Sequence, residues 1–367
     1  MFTKFNRKDY NFKLLFMVMI IIAIGTVIIN SANSDYLRRQ IFGVVLGFIV
    51  MIFVSLIDYE FICKFYKVFF VINIGLLAMV LLFGTTVNNA RRWVVIAGVQ
   101  FQPSELTKIF MIIFSAAFLD KYKDEINTFK CLAQYALYCG ITMFLVIAEP
   151  DLSTTLCLAM ILVTILYISG ISYKIIGLAI LILVPIAGSF LWYIQRPDQK
   201  LLKEYQVGRI LQFIYPEQYG EDFSQQNNSI MAIGSGQLSG KGLNTSTMAT
   251  VKDANFISEQ QTDFIFSVVG EELGFIGSVI IIAIILLIVL QCISIGRKAK
   301  DTKGMLIATG VGMLIAYQSF INIGVATGIL PNTGIPLPFI SYGLSSLLSI
   351  SLGMGMVLNV SIQKLKY

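Results

Sequence analysis

The chain contains no histidine, so acid–base chemistry rests on Asp, Glu, Lys, Tyr or Cys rather than on the commonest general base. The stretch "EQQTDFIFSVVGEELGFIGS" (259–278) sets Asp263, Glu271 and Glu272 at the head of the apolar run "VIIIAIILLIVL". Ionised groups at membrane depth are expensive and mark either function or a paired charge. Asp263 reads in two ways: a capping acid favoured by the helix dipole, or a carboxylate base for a hydroxyl proton. Glu271 and Glu272 follow eight and nine residues later, about 12 Å down a helix axis. That is too deep for a cap. They are expected to line protein or a wet cavity in a structural role, paired with a basic residue from another helix.

Three further polar clusters interrupt apolar sequence. In "NNARRWVVIAGVQFQPSELTK" (88–108), Ser104 is placed to cap a helix, and Glu105 and Lys108 share one helical face at i, i+3. Trp93 and Arg92 suit interfacial anchors. The same residues, with Gln102 and Lys108, also suit a basic, amide-rich lip for an anionic pyrophosphate. In "AEPDLSTTL" (148–156), Asp151 is a good N-cap and, with Glu149, stands at the outer boundary. "GILPNTGIPLPFISYGLSSLL" (328–348), which includes Pro338 and Ser341, cannot form a regular helix. It is an outer loop, or a re-entrant loop flooring a cavity, since irregular backbone at membrane depth must be buried in protein or line water. "SGKG" (239–242) lacks the spacing of a nucleotide-binding P-loop. Its Lys241 is left as a candidate phosphate contact outside the membrane.

The elements that position these clusters are membrane helices. Of 367 residues, 56% are hydrophobic and 13% charged, half the charge of a soluble domain, about 25%. Apolar runs at 13–31, 41–57, 65–83, 105–119, 132–148, 152–170, 174–194, 263–290, 304–325 and 341–360 predict about ten spans in a single all-α polytopic domain over 1–367. The first run is too long for a signal-peptide core and is read as retained. Fifteen Lys and Arg fall on the side of the termini, against Arg38, Arg39, Arg91 and Arg92 on the other. The positive-inside rule then makes both termini cytoplasmic and the 195–262 connection extracytoplasmic. That connection has six Lys/Arg and seven Asp/Glu among apolar and Gly-rich stretches, and is expected to fold partly onto the membrane surface. A net charge of +6 fits cytoplasmic loops, not nucleic-acid binding. Five cysteines without a CxxC pair predict neither disulfide nor zinc site.

In chain order, "ARRWVVIAGVQFQPSELTK", "EPDLSTT", "YQVGRILQFIYPE", "AIGSGQLSGKG", "TDFIFSVVGEELGFIG" and "LPNTGIPLPFISYGLSSLL" resemble the SEDS proteins, the family of RodA, FtsW and SpoVE. "GIPLPFISYG" is more similar to RodA than to FtsW. Departures from the family pattern fall at Asn89, Ser153, 225–229, 256–260 and Leu344. The resemblance implies ten transmembrane helices with a large loop between the seventh and eighth, a bacterial plasma-membrane location, and peptidoglycan glycosyltransfer from lipid II. It implies a class B penicillin-binding protein as transpeptidase partner and Asp263 as the essential acid. Arg92, Trp93, Gln102, Lys108, Asp151 and Lys241 are the implied substrate residues, with Glu105, Glu271, Glu272, Pro338 and Ser341 around the cavity. A divalent cation, Mg or Mn, held by Glu105 and Asp151 is one way to neutralise the departing pyrophosphate. The rivals are a lipid II flippase or transporter and a non-catalytic scaffold for a transpeptidase.

Overall fold

A helix lies on each of the ten expected segments. The structure is a computed structural model that describes residues 10–87, 90–96, 99–194, 196, 207, 224–244, 257 and 260–363. The helices are α1 (Phe12–Ala32), α2 (Leu37–Leu56), the short α3 (Tyr59–Lys64), α4 (Tyr66–Phe83), α5 (Pro103–Lys121), α6 (Phe129–Ala148), α7 (Leu152–Ile168) and α8 (Tyr173–Ile194). After the long connection come α9 (Ser224–Ser235), α10 (Ile265–Arg297), α11 (Thr302–Ala326) and α12 (Leu344–Ile362). Among the described residues seven are long and apolar enough to cross a membrane: α1, α2 with the turn before it, α4, α6, α10, α11 and α12. The apolar stretches of α7 and α8 are shorter, and α5 carries Glu105, Lys108, Asp120 and Lys121. "YQVGRILQFIYPE" lies outside the described residues apart from Val207.

Side-chain caps start several helices. Asn11, Thr128, Asp151 and Asp301 accept from the backbone N–H groups of Leu14, Cys131, Thr154 and Gly304, each satisfying a donor the helix leaves free. The bundle has a graded interior. Almost all of α5, and most of α11 and α12, is buried, because α5 packs against α4, α7, α11 and α12 at once. The outer helices keep large apolar side chains exposed, among them Phe42 and Phe53 of α2, Val71 and Phe83 of α4, and Phe144 of α6. Such faces suit lipid, where every backbone group is already satisfied within its helix.

To this helical frame the structure adds a small sheet that the sequence reading did not foresee. β1 (Thr85–Val87), β2 (Ala90–Ile96) and β3 (Val99–Phe101) form an antiparallel sheet in that order. "ARRWVVI" is rich in β-branched and aromatic residues, which favour a pleated surface, and it is too short and too charged to span.

Candidate functional site

Two polar centres form at one end of the bundle, and a third lies beside them. The first surrounds Asp151. Side chains alternate along β2, so Arg92 turns to the opposite face from its neighbours. Arg91 folds back on the end of α4, donating to Gly84 O (2.7 Å) and Leu81 O (2.8 Å). Arg92 meets the turn between α6 and α7, donating to Glu149 O (3.4 Å) and Pro150 O and lying 3.8 Å from Asp151 Oδ1. Asp151 caps α7, accepting from Thr154 N (3.1 Å) and Thr154 Oγ1 (2.9 Å), and it also accepts from Gln102 Nε2 (3.3 Å). Both readings of Asp151, cap and cluster member, therefore describe one side chain. Gln102 N–H donates to Ser345 Oγ at the start of α12 (2.9 Å). Trp93 is half-buried and pairs with Thr85 across the sheet.

Glu149 is fully buried, and neither carboxyl oxygen has a hydrogen-bond partner. It sits in the connection between α6 and α7, outside both helices. Burial first, then the Asp151 charge, raises its pKa to about 9 against the lowering pull of Arg92.

The second centre is built around Asp263. α10 begins at Ile265 with Phe264 in the cap position, so Asp263 stands just outside the helix in a turn, half-buried. Its carboxylate lies against Gly334: a side-chain carbon added there would sit 3.2 Å from Asp263 Oδ2, and Gly334 adopts φ 73°. Asn322 of α11 holds this arrangement from beneath. Its amide donates to Asp263 O and to Ile335 O, both at 2.8 Å. Ser341 Oγ donates to Thr262 O (2.7 Å) and accepts from Leu337 N (2.7 Å), while Tyr342 N–H donates to Gln261 O (2.9 Å). Pro338, Phe339 and Ile340 are buried, and the Tyr342 ring packs at a tilt of 53° against Tyr36 before α2, with ring centroids 4.5 Å apart. The Pro-rich segment is thus folded into the protein.

Ser153 Oγ, on the first turn of α7, donates to Thr333 O. Thr333 adjoins Gly334, so this bond ties the Asp151 centre to the Asp263 centre. Ser153 therefore supplies a link between them.

The third centre is closed. Lys108 Nζ and Glu105 Oε1 pair at 2.7 Å, both almost wholly buried, and Ser349 Oγ donates to Glu105 O (2.6 Å). Lys108, expected at the substrate, is here neutralised inside the bundle. Ser104 is not the N-cap of α5. Pro103 takes the first helical position, where its missing N–H costs nothing, and Gln102 precedes it.

Lys241 is likewise engaged by protein: its Nζ lies 2.7 Å from Glu271 Oε1. The expected partner of the glutamates is thus a residue of the long connection rather than of another span. Glu272 accepts from Ser31 of α1.

Sequence reasoning missed Asn322, Ser345 and Gly334. A buried amide in a largely apolar span was the available signal for Asn322, though Gln318 of the same span carries it too. The other two are placed only by tertiary structure.

A family model described as "Cell cycle protein", for FtsW, RodA and SpoVE, matches residues 10–366. The chain is 31% identical to a probable peptidoglycan glycosyltransferase FtsW of Hydrogenovibrio crunogenus, over 98% of this chain and 93% of the relative. It is equally identical, 31%, to the peptidoglycan glycosyltransferase MrdB of Escherichia coli K12, over 95% and 92%. A solved structure described as "Structural coordination of polymerization and crosslinking by a peptidoglycan synthase complex" superposes with TM-score 0.81 at 25% identity, over 96% of this chain and 97% of the other. With the family model spanning nearly the whole sequence and relatives this similar over almost their full lengths, the chain belongs to the FtsW/RodA/SpoVE family.

Proposed function

We propose that this chain is a peptidoglycan glycosyltransferase that polymerises lipid II at the outer face of the bacterial plasma membrane, with both termini cytoplasmic. The observation that carries the site is the Ser153–Thr333 bond, which joins the half-buried carboxylate of Asp263 to the turn that the Arg92 guanidinium contacts in one polar region. A carboxylate is the reasonable base in a chain without histidine. Asp263 takes the proton from the acceptor's sugar 4-hydroxyl as that oxygen attacks the donor's anomeric carbon, inverting it. The donor's carbon–oxygen bond to pyrophosphate breaks, and the pyrophosphate leaves with the electron pair. It is already a good leaving group, so charge stabilisation matters more than a general acid.

Arg92 is the cation we assign to that charge. Its guanidinium is partly exposed and held by the carbonyls of Glu149 and Pro150 and by Asp151. Gln102 and Asp151 orient it, with Trp93 at the rim. Among the described residues no three Asp, Glu or Cys side chains converge as a metal-holding group, and Glu105 is committed to Lys108. A class B penicillin-binding protein is the proposed partner, in keeping with a structural relative described as coordinating polymerisation with crosslinking.

The test is glycan synthesis by the purified protein supplied with lipid II, read on a gel. Glycan that requires Asp263 supports the reading. Lipid II crossing vesicle membranes without polymer would instead make the protein a transporter. An inactive Asp263 variant that still supports growth would make it a scaffold.

A further inference from the structure

α10 is broken. Gly274 has φ 65° and ψ −164° inside it, a backbone that glycine adopts at least cost. The groups this break frees are taken up by the long connection. Lys241 N–H donates to Glu271 O (2.9 Å) and Gly242 N–H to Glu272 O (3.0 Å). In return, Phe275 N–H and Ile276 N–H donate to Gln237 O (2.9 Å) and Leu238 O (3.1 Å). The two backbones touch: a side-chain carbon at Gly240 would fall 2.1 Å from Glu272 O. Lys241 Nζ then pairs with Glu271 Oε1 at 2.7 Å, with side chains 14% and 2% exposed.

The start of the same stretch grips a second element. Gln226 Nε2 donates to Val325 O and Leu330 O, both at 2.8 Å, and Ser229 Oγ to Ala326 O at 2.8 Å. These acceptors are the end of α11 and the chain leading to Gly334. Residues 224–244 therefore hold both parts of the Asp263 centre: the half-helix that Asp263 precedes and the turn lying against its carboxylate.

We infer that Lys241 and Glu271 are positioning residues, whose pair locks the 224–244 clasp to the broken helix and so fixes Asp263 against Gly334. A buried ion pair adds little net stability, because desolvation offsets attraction. What this pair supplies is geometry. Glu271 lies six residues beyond Ile265, where α10 begins, about 9 Å along the axis, so a shift at the pair reaches the carboxylate of Asp263 as a tilt of the intervening half-helix. The activity arm of the test rests on the proposed glycosyltransferase reading, and the structural arm does not.

The experiment compares the full-length protein with Lys241→Met, Glu271→Gln and the reversed pair K241E/E271K. Hydrogen exchange is followed by mass spectrometry over 260–276, and initial rates are measured against lipid II concentration. In both single variants, exchange across 263–273 is expected to rise. The turnover number should fall about tenfold to a hundredfold, as displacement of a reacting group by an ångström brings, with KM unchanged. The reversed pair should recover part of both losses. Unchanged exchange overturns the clasp. Normal turnover per folded molecule reduces the pair to a structural contact, and a raised KM at constant turnover makes Lys241 a substrate ligand, so either result also overturns the inference. If Lys241→Met does not fold, Glu271→Gln, which keeps the side chain's shape, decides alone. If the wild type makes no glycan, the enzyme reading fails and the exchange data still decide the clasp.

Discussion

Replacing Glu149 by glutamine will remove a pH dependence of stability that the native side chain imposes. The carboxyl group is fully buried, its oxygens have no hydrogen-bond partner, and the charge of Asp151 is close by. Its pKa rises from 4.5 to about 9. In the folded protein it therefore keeps its proton at neutral pH, whereas the unfolded chain loses it above about pH 4.5. The folded state holds more protons between these values, so stability falls as pH rises from about 4.5 to about 9 and levels off beyond. Each pH unit in that window costs about 1.4 kcal/mol. At pH 7 the accumulated loss is about 3 kcal/mol, discounted for whatever water reaches the site in solution. Glutamine has nearly the same shape and no proton to lose. The assay is thermal unfolding in detergent from pH 5 to pH 9. Wild type should melt at steadily lower temperature across the range, and Glu149→Gln should fall less steeply and be the more stable of the two at pH 7 and above. Parallel curves would show that Glu149 is ionised in the folded state and refute the reasoning.

Three other outcomes follow from the same contacts. Asn322→Ala removes two buried hydrogen bonds to backbone carbonyls and should cost about 2–3 kcal/mol, seen as a lower melting temperature together with reduced polymerisation. Arg92→Ala should raise the lipid II concentration needed for half-maximal rate, and Arg92→Lys should recover it only in part, because one ammonium cannot meet two carbonyls and a carboxylate in the guanidinium's planar fork. Ser153→Ala deletes the bond joining the two centres and should lower turnover more than it lowers the melting temperature. Equal losses in both would make Ser153 a structural contact.

The helical segments were legible because a helix that crosses a bilayer needs a long apolar run, and that constraint is written in consecutive residues. Local pairs were legible for a similar reason. The Glu105–Lys108 contact follows from i, i+3 spacing and the Asp151 cap from its place before Thr154. Harder to see were features whose cause is distant in sequence. The break in α10 is tolerated because residues 237–242 supply the hydrogen bonds that Glu271, Glu272, Phe275 and Ile276 would otherwise lack. No local pattern announces that exchange. Lys241 looked free to meet phosphate for the same reason: its partner is thirty residues away. The sheet at 85–101 carried a local signal, the β-branched run of β2, but its Arg and Trp residues read equally as interfacial anchors or as a basic lip. Residue chemistry alone leaves Asp263 as a cap or a base, and the family resemblance singles it out as the essential acid, while its neighbours Gly334 and Asn322 come from two other elements.

The central claim is that Asp263 removes the acceptor's proton. The measurement that tests it most directly is the initial rate of glycan formation from lipid II by purified Asp263→Asn, beside wild type at matched folded concentration. A positioned general base contributes typically 10²–10⁴-fold, so the asparagine variant should retain at most about a hundredth of the rate, with an unchanged melting profile. A correctly folded Asp263→Asn protein that polymerises at the wild-type rate would contradict the account.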